Sequence, residues 1–108
     1  MANKRVIVVT GASRGAGKGI ALALANKDSV IYVTGRSVKE GGELPGTIHQ
    51  TAADIEASGA KAIAVAVDHR DDQQVKALFE QVLREQGRLD ILVNNACTIP
   101  DDLTVDKP

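Results

Sequence analysis

Three glycines within residues 10–17 carry the strongest chemical signal in this sequence. A β-branched run is followed by Thr10-Gly11-Ala12-Ser13-Arg14-Gly15-Ala16-Gly17, which leads into a stretch of helical composition. Glycine at such a turn permits backbone angles that are closed to side chains and lets a ligand touch the main chain. The turn amides and the helix N-terminus would form a positive cradle for a pyrophosphate. A tight turn that binds nothing explains two glycines as well, but three favour a ligand.

The glycine spacing separates the known kinds of nucleotide-binding turn. The dinucleotide fingerprint G-x-G-x-x-G is absent, because Gly11 is followed by Gly15 and Gly17. The sequence does not match a P-loop, G-x-x-x-x-G-K-S/T. Lys18 comes one residue too late after Gly11, and Gly19 replaces the serine or threonine that would follow the lysine. An NTPase remains a minor alternative, because Asp68 ends an apolar run as a Walker-B carboxylate would.

Alternating strand and helix signals predict the elements that position this turn. Nearly continuous apolar runs at 5–10, 30–34, 62–67 and 89–93 predict four strands, each buried. Helical spacing predicts helices from about 17 to 27, from Thr47 to Gly59, and from the capping candidates Asp71 and Asp72 to Gly87. Their predicted inner residues are Ile48, Ala52 and Ile55 in the second helix and Val75, Leu78, Phe79, Val82 and Leu83 in the third.

This alternation is typical of βαβ units on a parallel sheet. Right-handed crossovers and a reversal after the third strand then predict the strand order 3-2-1-4. The expected fold class is therefore α/β, a Rossmann-type doubly wound parallel sheet of which residues 1–108 form the N-terminal half. The glycine-rich segment 37–46 is predicted to be a loop.

Composition narrows the partners and the compartment. The chain has 108 residues, 44% of them hydrophobic, which fits one globular domain at most. A net charge of −1 and only Tyr32 and Phe79 as aromatics argue against a nucleic-acid partner. The longest apolar run is too short for a membrane span, and no secretory segment is visible, so we expect a cytoplasmic protein. Cys97 is the only cysteine, and His49 and His69 read as exposed residues rather than metal ligands.

Four motifs, in order, resemble the short-chain dehydrogenase/reductase family. Thr-Gly-x-x-x-Gly-x-Gly at 10–17 is similar to its glycine motif. Arg36 follows the second strand, at the place where the family discriminates between its cofactors. Asp68 ends the third strand, where the family places a residue against the adenine. The fourth strand ends in Asn94-Asn95-Ala96-Cys97, which resembles Asn-Asn-Ala-Gly apart from Cys97. The long loop 37–46 is similar to that of the subgroup around dehydrogenase/reductase family member 1.

The resemblance implies an NAD(P)-dependent oxidoreductase that moves hydride between the cofactor and a small carbonyl or alcohol substrate, in a homo-oligomer. It also implies a set of residues that would line the pyrophosphate and ribose: Gly11, Ser13, Gly15, Ala16 and Gly17. Gly17 would leave room toward the nicotinamide. Ala16 departs from the isoleucine more common in the family, which removes bulk but keeps the backbone amide.

The choice between NADP and NAD depends on two arginines. By resemblance, Arg14 and Arg36 would bind a 2′-phosphate, and no carboxylate stands at 34–37 to hold a free ribose hydroxyl, so NADP is favoured over NAD. Asp68 would contact the adenine and Asn95 the adenosine ribose, while Asn94 would tie the fourth strand to the first. Outside the motif context, each arginine would be read as a solvated side chain and Asp68 as a turn residue.

The family's tyrosine, lysine and serine, which the resemblance implies as catalytic residues, are expected downstream of Asn95. Tyr32 is the only tyrosine and has Arg36 four residues on, so no Tyr-x-x-x-Lys occurs. One hypothesis is therefore the cofactor-binding portion of an oxidoreductase, inactive alone and prone to aggregate along its fourth strand. The other is a stand-alone, non-catalytic nucleotide-binding or regulatory module. An end at Pro108 within a loop pattern favours the first.

Overall fold

Seven elements make up the part of the chain that the structure, a computed structural model, describes: residues 4–12, 15–35, 48–68 and 71–94. They are β1 (Arg5–Val9), α1 (Gly15–Leu24), β2 (Ser29–Gly35), α2 (Ile48–Ala57), β3 (Lys61–Ala66), α3 (Asp72–Gln86) and β4 (Ile91–Val93). The strands form one sheet in the order β3-β2-β1-β4, and every pair is parallel. The predicted fold class and strand order 3-2-1-4 are confirmed.

Helices cover both faces of the two central strands. Alternate residues of a strand point to opposite faces, so β1 and β2 contribute to two separate apolar clusters. The cluster beneath α1 and α2 contains Ile7, Val9, Ile31, Val33, Ala21, Ile48, Ala52 and Ile55. The cluster beneath α3 contains Val6, Val8, Val30, Tyr32, Val67, Leu78 and Val82. The predicted burial of β1 and β2 is therefore confirmed, as is the inner stripe of α2.

The two outer strands are less buried than the sequence predicts. The four central residues of β3 are half-buried and its two ends are exposed. In β4, Leu92 is 48% exposed. Each of these strands has a single strand neighbour within the described residues, so the other side of each strand is not covered by a strand there. The expectation that all four strands are buried is therefore wrong for β3 and β4.

Both predicted caps of α3 are correct. The Asp71 side chain accepts from the amide of Gln73 at 3.0 Å, and the helix ends at Gly87, whose amide donates to the carbonyl of Leu83 at 2.8 Å. The predicted inner face of this helix is too wide, because Leu83 is 55% exposed. Neighbouring positions on a helix are about 100° apart, so Leu83 points away from the sheet that its neighbour Val82 packs against.

α1 begins at Gly15 and ends at Leu24, earlier at both ends than predicted. The early end has a local cause in the turn that follows. The Asn26 side chain accepts from the amide of Asp28 at 2.8 Å, and the Ser29 hydroxyl accepts from the Asn26 amide at 3.0 Å. These side chains satisfy main-chain groups outside the helix, which is how Asn and Ser compete with helical bonding.

Asp90 explains why β4 begins at Ile91 and not at Leu89. The amide of Val6 donates to Asp90 Oδ2 at 2.7 Å, and the Asp90 amide donates to the Val6 carbonyl at 2.9 Å. A side-chain carboxylate therefore takes the place of a main-chain acceptor at this point of the β1–β4 pairing. Arg88 donates to Asp90 Oδ1 at 2.6 Å, and this hydrogen bond, with that of the Val6 amide, lowers the pKa of Asp90.

Tyr32 is fully buried in β2, on the face that α3 covers. Its phenol donates to Glu85 Oε1 at 2.6 Å and accepts from Gln86 Nε2 at 3.2 Å. Burial, followed by the hydrogen bond to Glu85, raises the pKa of Tyr32 to about 12. The hydroxyl is therefore neutral at physiological pH and is engaged in joining β2 to the end of α3.

Candidate functional site

The carboxyl ends of the four parallel strands share one edge of the sheet. β1 leads into Gly11, β2 ends at Gly35, β3 leads into Asp68, and β4 leads into Asn94. β2 lies on one side of β1 and β4 on the other, so the order of strands reverses at β1. Open parallel sheets bind ligands in the crevice at this kind of reversal. The glycine-rich turn therefore lies where the fold class places a ligand.

Two glycines of this turn have left-handed backbone angles. The φ angle is 64° at Gly11 and 65° at Gly15, a region that L-residues other than glycine rarely adopt. A Cβ atom added at Gly15 would meet no heavy atom within 4 Å. The backbone angle, and not crowding, is therefore what requires glycine at that position. Both angles agree with the need for glycine that the spacing predicts.

The first turn of α1 presents main-chain amides at the same edge. Gly15 and Ala16 are exposed, Gly17 is buried, and the first turn from Gly15 contains no acidic residue. The first amides of a helix have no partner within the helix and lie at the positive end of its dipole. This end of α1 can therefore bind an anion without repulsion from a carboxylate in its own first turn.

Buried hydrogen bonds hold the main chain of the turn at Ala12. The Ala12 amide donates to the carbonyl of Thr34 at 2.9 Å, and the Thr51 hydroxyl donates to the carbonyl of Ala12 at 2.7 Å. All three residues are fully buried. The sequence reasoning missed Thr51, although a threonine within the apolar stripe of α2 is a recognisable sign of a buried hydroxyl with a specific partner.

On the other side of β1, Thr10 joins the turn to β4. Its amide donates to the carbonyl of Val93 at 3.0 Å, and its hydroxyl lies 3.3 Å from Asn94 Oδ1 and 3.3 Å from the Val93 carbonyl. The predicted role of Asn94 in tying the fourth strand to the first is confirmed by these contacts. The turn is thus fastened to both of its neighbouring strands and to α2.

Asp68 lies at the same edge, half-buried, two residues past the end of β3. Its amide donates to Gln74 Oε1 of α3 at 2.8 Å. The amide of Val67, one residue earlier, donates to the carbonyl of Gly35 at 3.1 Å. The main chain around Asp68 is therefore fixed between the end of β2 and the first turn of α3, where the family resemblance implies an adenine contact.

Lys18 and Asp54 join α1 to α2 beside the turn. Their charged atoms are 2.8 Å apart, and the hydrogen bond from Lys18 is the main cause of a lowered pKa at Asp54.

His49, on α2, is exposed as predicted. Among the described residues there is no group of three or more His, Cys, Asp or Glu that could hold a metal ion. No helix within those residues combines the length and apolar character needed to cross a membrane.

Several predicted site residues lie outside the described part of the chain. They are Ser13, Arg14, Arg36 and Asn95, together with Thr47, His69 and Cys97. Of the nine predicted cofactor-binding residues, the structure brings Gly11, Gly15, Ala16, Gly17 and Asp68 to one edge of the sheet.

Gly15 and Gly19 offer a matched test of why glycine is needed in the turn. We expect Gly15→Ala to lower the free energy of unfolding by about 1–2 kcal/mol, because alanine is strained at positive φ. We expect Gly19→Ala to raise it by up to about 1 kcal/mol, because Gly19 lies within α1 and alanine is the better helix former. Neither Cβ would meet an atom within 4 Å. Urea denaturation of both variants measures the difference, and equal effects would contradict this reading of Gly15.

The comparisons with known proteins agree with this geometry. Residues 5–106 match the short chain dehydrogenase family. Hydroxysteroid dehydrogenase-like protein 2 from Homo sapiens is 43% identical over 102 residues, which cover 94% of this chain and 24% of that protein. Dehydrogenase/reductase SDR family member 1 from Mus musculus is 47% identical over 93 residues, covering 85% of this chain and 28% of that protein.

Among solved structures, a metagenomic short-chain oxidoreductase in complex with NADP superposes with a TM-score of 0.75 at 35% identity. The superposition covers 87% of this chain and 39% of that one. This chain belongs to the short-chain dehydrogenase family, and the resemblance seen in its motifs is confirmed. The chain spans about a quarter of the length of the two curated relatives, 24% and 28%.

Proposed function

We propose that this chain is the NADP(H)-binding part of an oxidoreductase that moves hydride between the nicotinamide and a carbonyl or alcohol substrate. The observation that carries the proposal is the glycine-rich turn, with left-handed Gly11 and Gly15 at the sheet's reversal point and the amides of α1 behind them. The nicotinamide would supply or accept the hydride. The residues of this chain would bind the cofactor and orient it.

The described residues fit a pyrophosphate. Gly15 leaves open the space that a Cβ would fill, and the first turn of α1 carries no acidic residue. Exposed amides at the positive end of a helix are the groups that stabilise such an anion. The proposed pyrophosphate and ribose contacts are Gly11, Ser13, Gly15, Ala16 and Gly17. Asp68 would lie against the adenine and Asn95 against its ribose.

We propose NADP(H) in preference to NAD(H). Arg14 lies within the glycine-rich turn, and Arg36 directly follows the end of β2. A guanidinium matches phosphate oxygens with two hydrogen bonds, whereas a carboxylate after β2 would repel the 2′-phosphate. No carboxylate stands at 34–37. The NADP complex of the metagenomic relative supports the same choice.

The proposed partners follow from the family. The full-length protein would act on a small carbonyl or alcohol in the cytoplasm and would assemble as a homo-oligomer. The 108-residue chain alone would be prone to aggregate, because Leu92 of β4 is 48% exposed and Leu83 of α3 is 55% exposed. The unpaired main-chain groups of an edge strand are a template for pairing with other chains, and exposed apolar side chains favour association.

Calorimetric titration of the full-length protein with NADPH and NADH tests the proposal. We expect both nucleotides to bind, NADPH more tightly, and Gly15→Ala to weaken both. Gly19→Ala is the matched control, because Gly19 lies in α1 one turn beyond the amides at issue. A folded protein that binds neither nucleotide would overturn the proposed function.

A further inference from the structure

We infer that Thr51 of α2 is a positioning residue that holds the glycine-rich turn in the shape required by the dinucleotide phosphates. The inference rests on the proposed function, since it assigns a role within the same site. Thr51 would touch no part of the cofactor itself. Its hydroxyl donates to the carbonyl of Ala12, 39 residues earlier in the chain, at 2.7 Å.

The Ala12 peptide groups are held from two directions. The Ala12 amide donates to the carbonyl of Thr34 in β2 at 2.9 Å, and the Thr51 hydroxyl in α2 donates to the Ala12 carbonyl. Ala12, Thr34 and Thr51 are each 0% exposed. Water cannot substitute at a fully buried carbonyl without opening the structure, so the Thr51 hydroxyl supplies a donor that solvent does not replace.

The turn needs such an external constraint. Ala12 lies between Gly11 and Gly15, whose backbone angles are left-handed and which carry no side chain to pack. Glycine has the largest conformational freedom to lose, so a glycine-rich turn is ordered mainly by hydrogen bonds from its surroundings. A planar peptide also couples the direction of each carbonyl to that of the next amide. Fixing the Ala12 carbonyl therefore limits the directions open to the amides of the turn.

Helix packing alone does not explain a hydroxyl at this position. Thr51 lies in the buried stripe of α2 with Ile48, Ala52 and Ile55, all of them apolar. Valine has nearly the same shape and would fill the same space without a polar atom. Docking of α1 on α2 also has its own polar contact, the partly exposed pair of Lys18 and Asp54. The hydroxyl of Thr51 is thus best explained by its bond to the turn.

The test compares Thr51→Val, Thr51→Ser and Tyr32→Phe in the full-length protein. We expect Thr51→Val to weaken NADPH and NADH equally, by about tenfold, which corresponds to about 1.4 kcal/mol. The ratio of the two affinities should not change, because both nucleotides contain the pyrophosphate. Thr51→Ser, which keeps the hydroxyl, should restore most of the affinity. Tyr32→Phe removes another buried hydroxyl bond, on the opposite face of the sheet, and should lower the thermal midpoint but not the affinity.

Amide exchange without nucleotide separates this inference from the proposed function. Thr51→Val should speed exchange of the Ala12 amide relative to β1, and Tyr32→Phe should not. Unchanged exchange at Ala12, or wild-type affinity in a Thr51→Val protein whose thermal midpoint has fallen, would overturn the positioning role. Faster exchange in a protein that binds neither nucleotide would support Thr51 as the support of the turn while overturning the proposed function.

Discussion

We expect the 108-residue polypeptide, expressed on its own, to catalyse no hydride transfer. The resemblance to its family implies that proton transfer is carried out by a tyrosine with a lysine four residues later. Tyr32 is the only tyrosine of this sequence, and Arg36 stands four residues after it. A positioned proton donor contributes about 10²–10⁴-fold to the rate of an enzyme. Without that donor and its lysine, a loss of at least this size is expected.

Tyr32 cannot serve as the missing acid. It is fully buried beneath α3, away from the exposed amides at the start of α1, and its hydroxyl is bonded to Glu85. Burial and that bond raise the pKa of Tyr32 to about 12, and a catalytic proton donor works best with a pKa near the operating pH. A substrate would have to displace the Glu85 and Gln86 side chains to reach this hydroxyl.

The measurement follows NADPH absorbance with a panel of aldehydes, ketones and quinones. The isolated chain should show none of the turnover of the full-length protein, and adding a polypeptide that carries the remainder of the enzyme should restore part of it. Tyr32→Phe is the control for any residual signal, which should not depend on this side chain. Turnover by the isolated chain that survives removal of host reductases would refute the expectation, and its loss in Tyr32→Phe would assign that activity to this side chain.

The sequence predicts the centre of this fold well because the central strands are governed by local composition. β1 and β2 are covered on both faces, so their residues are nearly all apolar and the signal is continuous. The ends of α3 are also local, since Asp71 caps amides two and three residues ahead. The glycine φ angles follow from the spacing of the turn in the same way.

Long-range contacts account for the errors. The burial of an outer strand depends on what lies beside it. The residue types at Leu92 and its neighbours do not indicate that α3 leaves Leu92 uncovered. The Asp90 carboxylate replaces a main-chain acceptor for Val6, 84 residues away, which shortens β4 at its start. Thr51 was missed for the same reason, because its partner in the turn lies 39 residues earlier. Sequence periodicity reports on neighbours within an element and not on such pairs.

We expect a second large effect on the choice of cofactor: Arg36→Asp should reverse the preference for NADPH over NADH. Arg36 directly follows Gly35, whose carbonyl accepts from the amide of Val67 at 3.1 Å. The end of β2 is thereby fixed against the chain that follows β3, at the carboxyl edge of the sheet. A charge-assisted bond to phosphate is worth roughly 1.5–3 kcal/mol, about tenfold or more in affinity.

Arg36→Asp should therefore lower NADPH affinity by about tenfold or more. It should also raise NADH affinity, because a carboxylate can accept from the ribose 2′-hydroxyl. Arg84→Asp, in the last turn of α3, makes the same change of charge away from the turn and tests for a general electrostatic effect. Since a phosphate contact is screened by salt, the NADPH preference of the wild type should also fall as ionic strength rises. Titration of both variants with both nucleotides decides the matter, and equal discrimination by wild type and Arg36→Asp would remove Arg36 from this role.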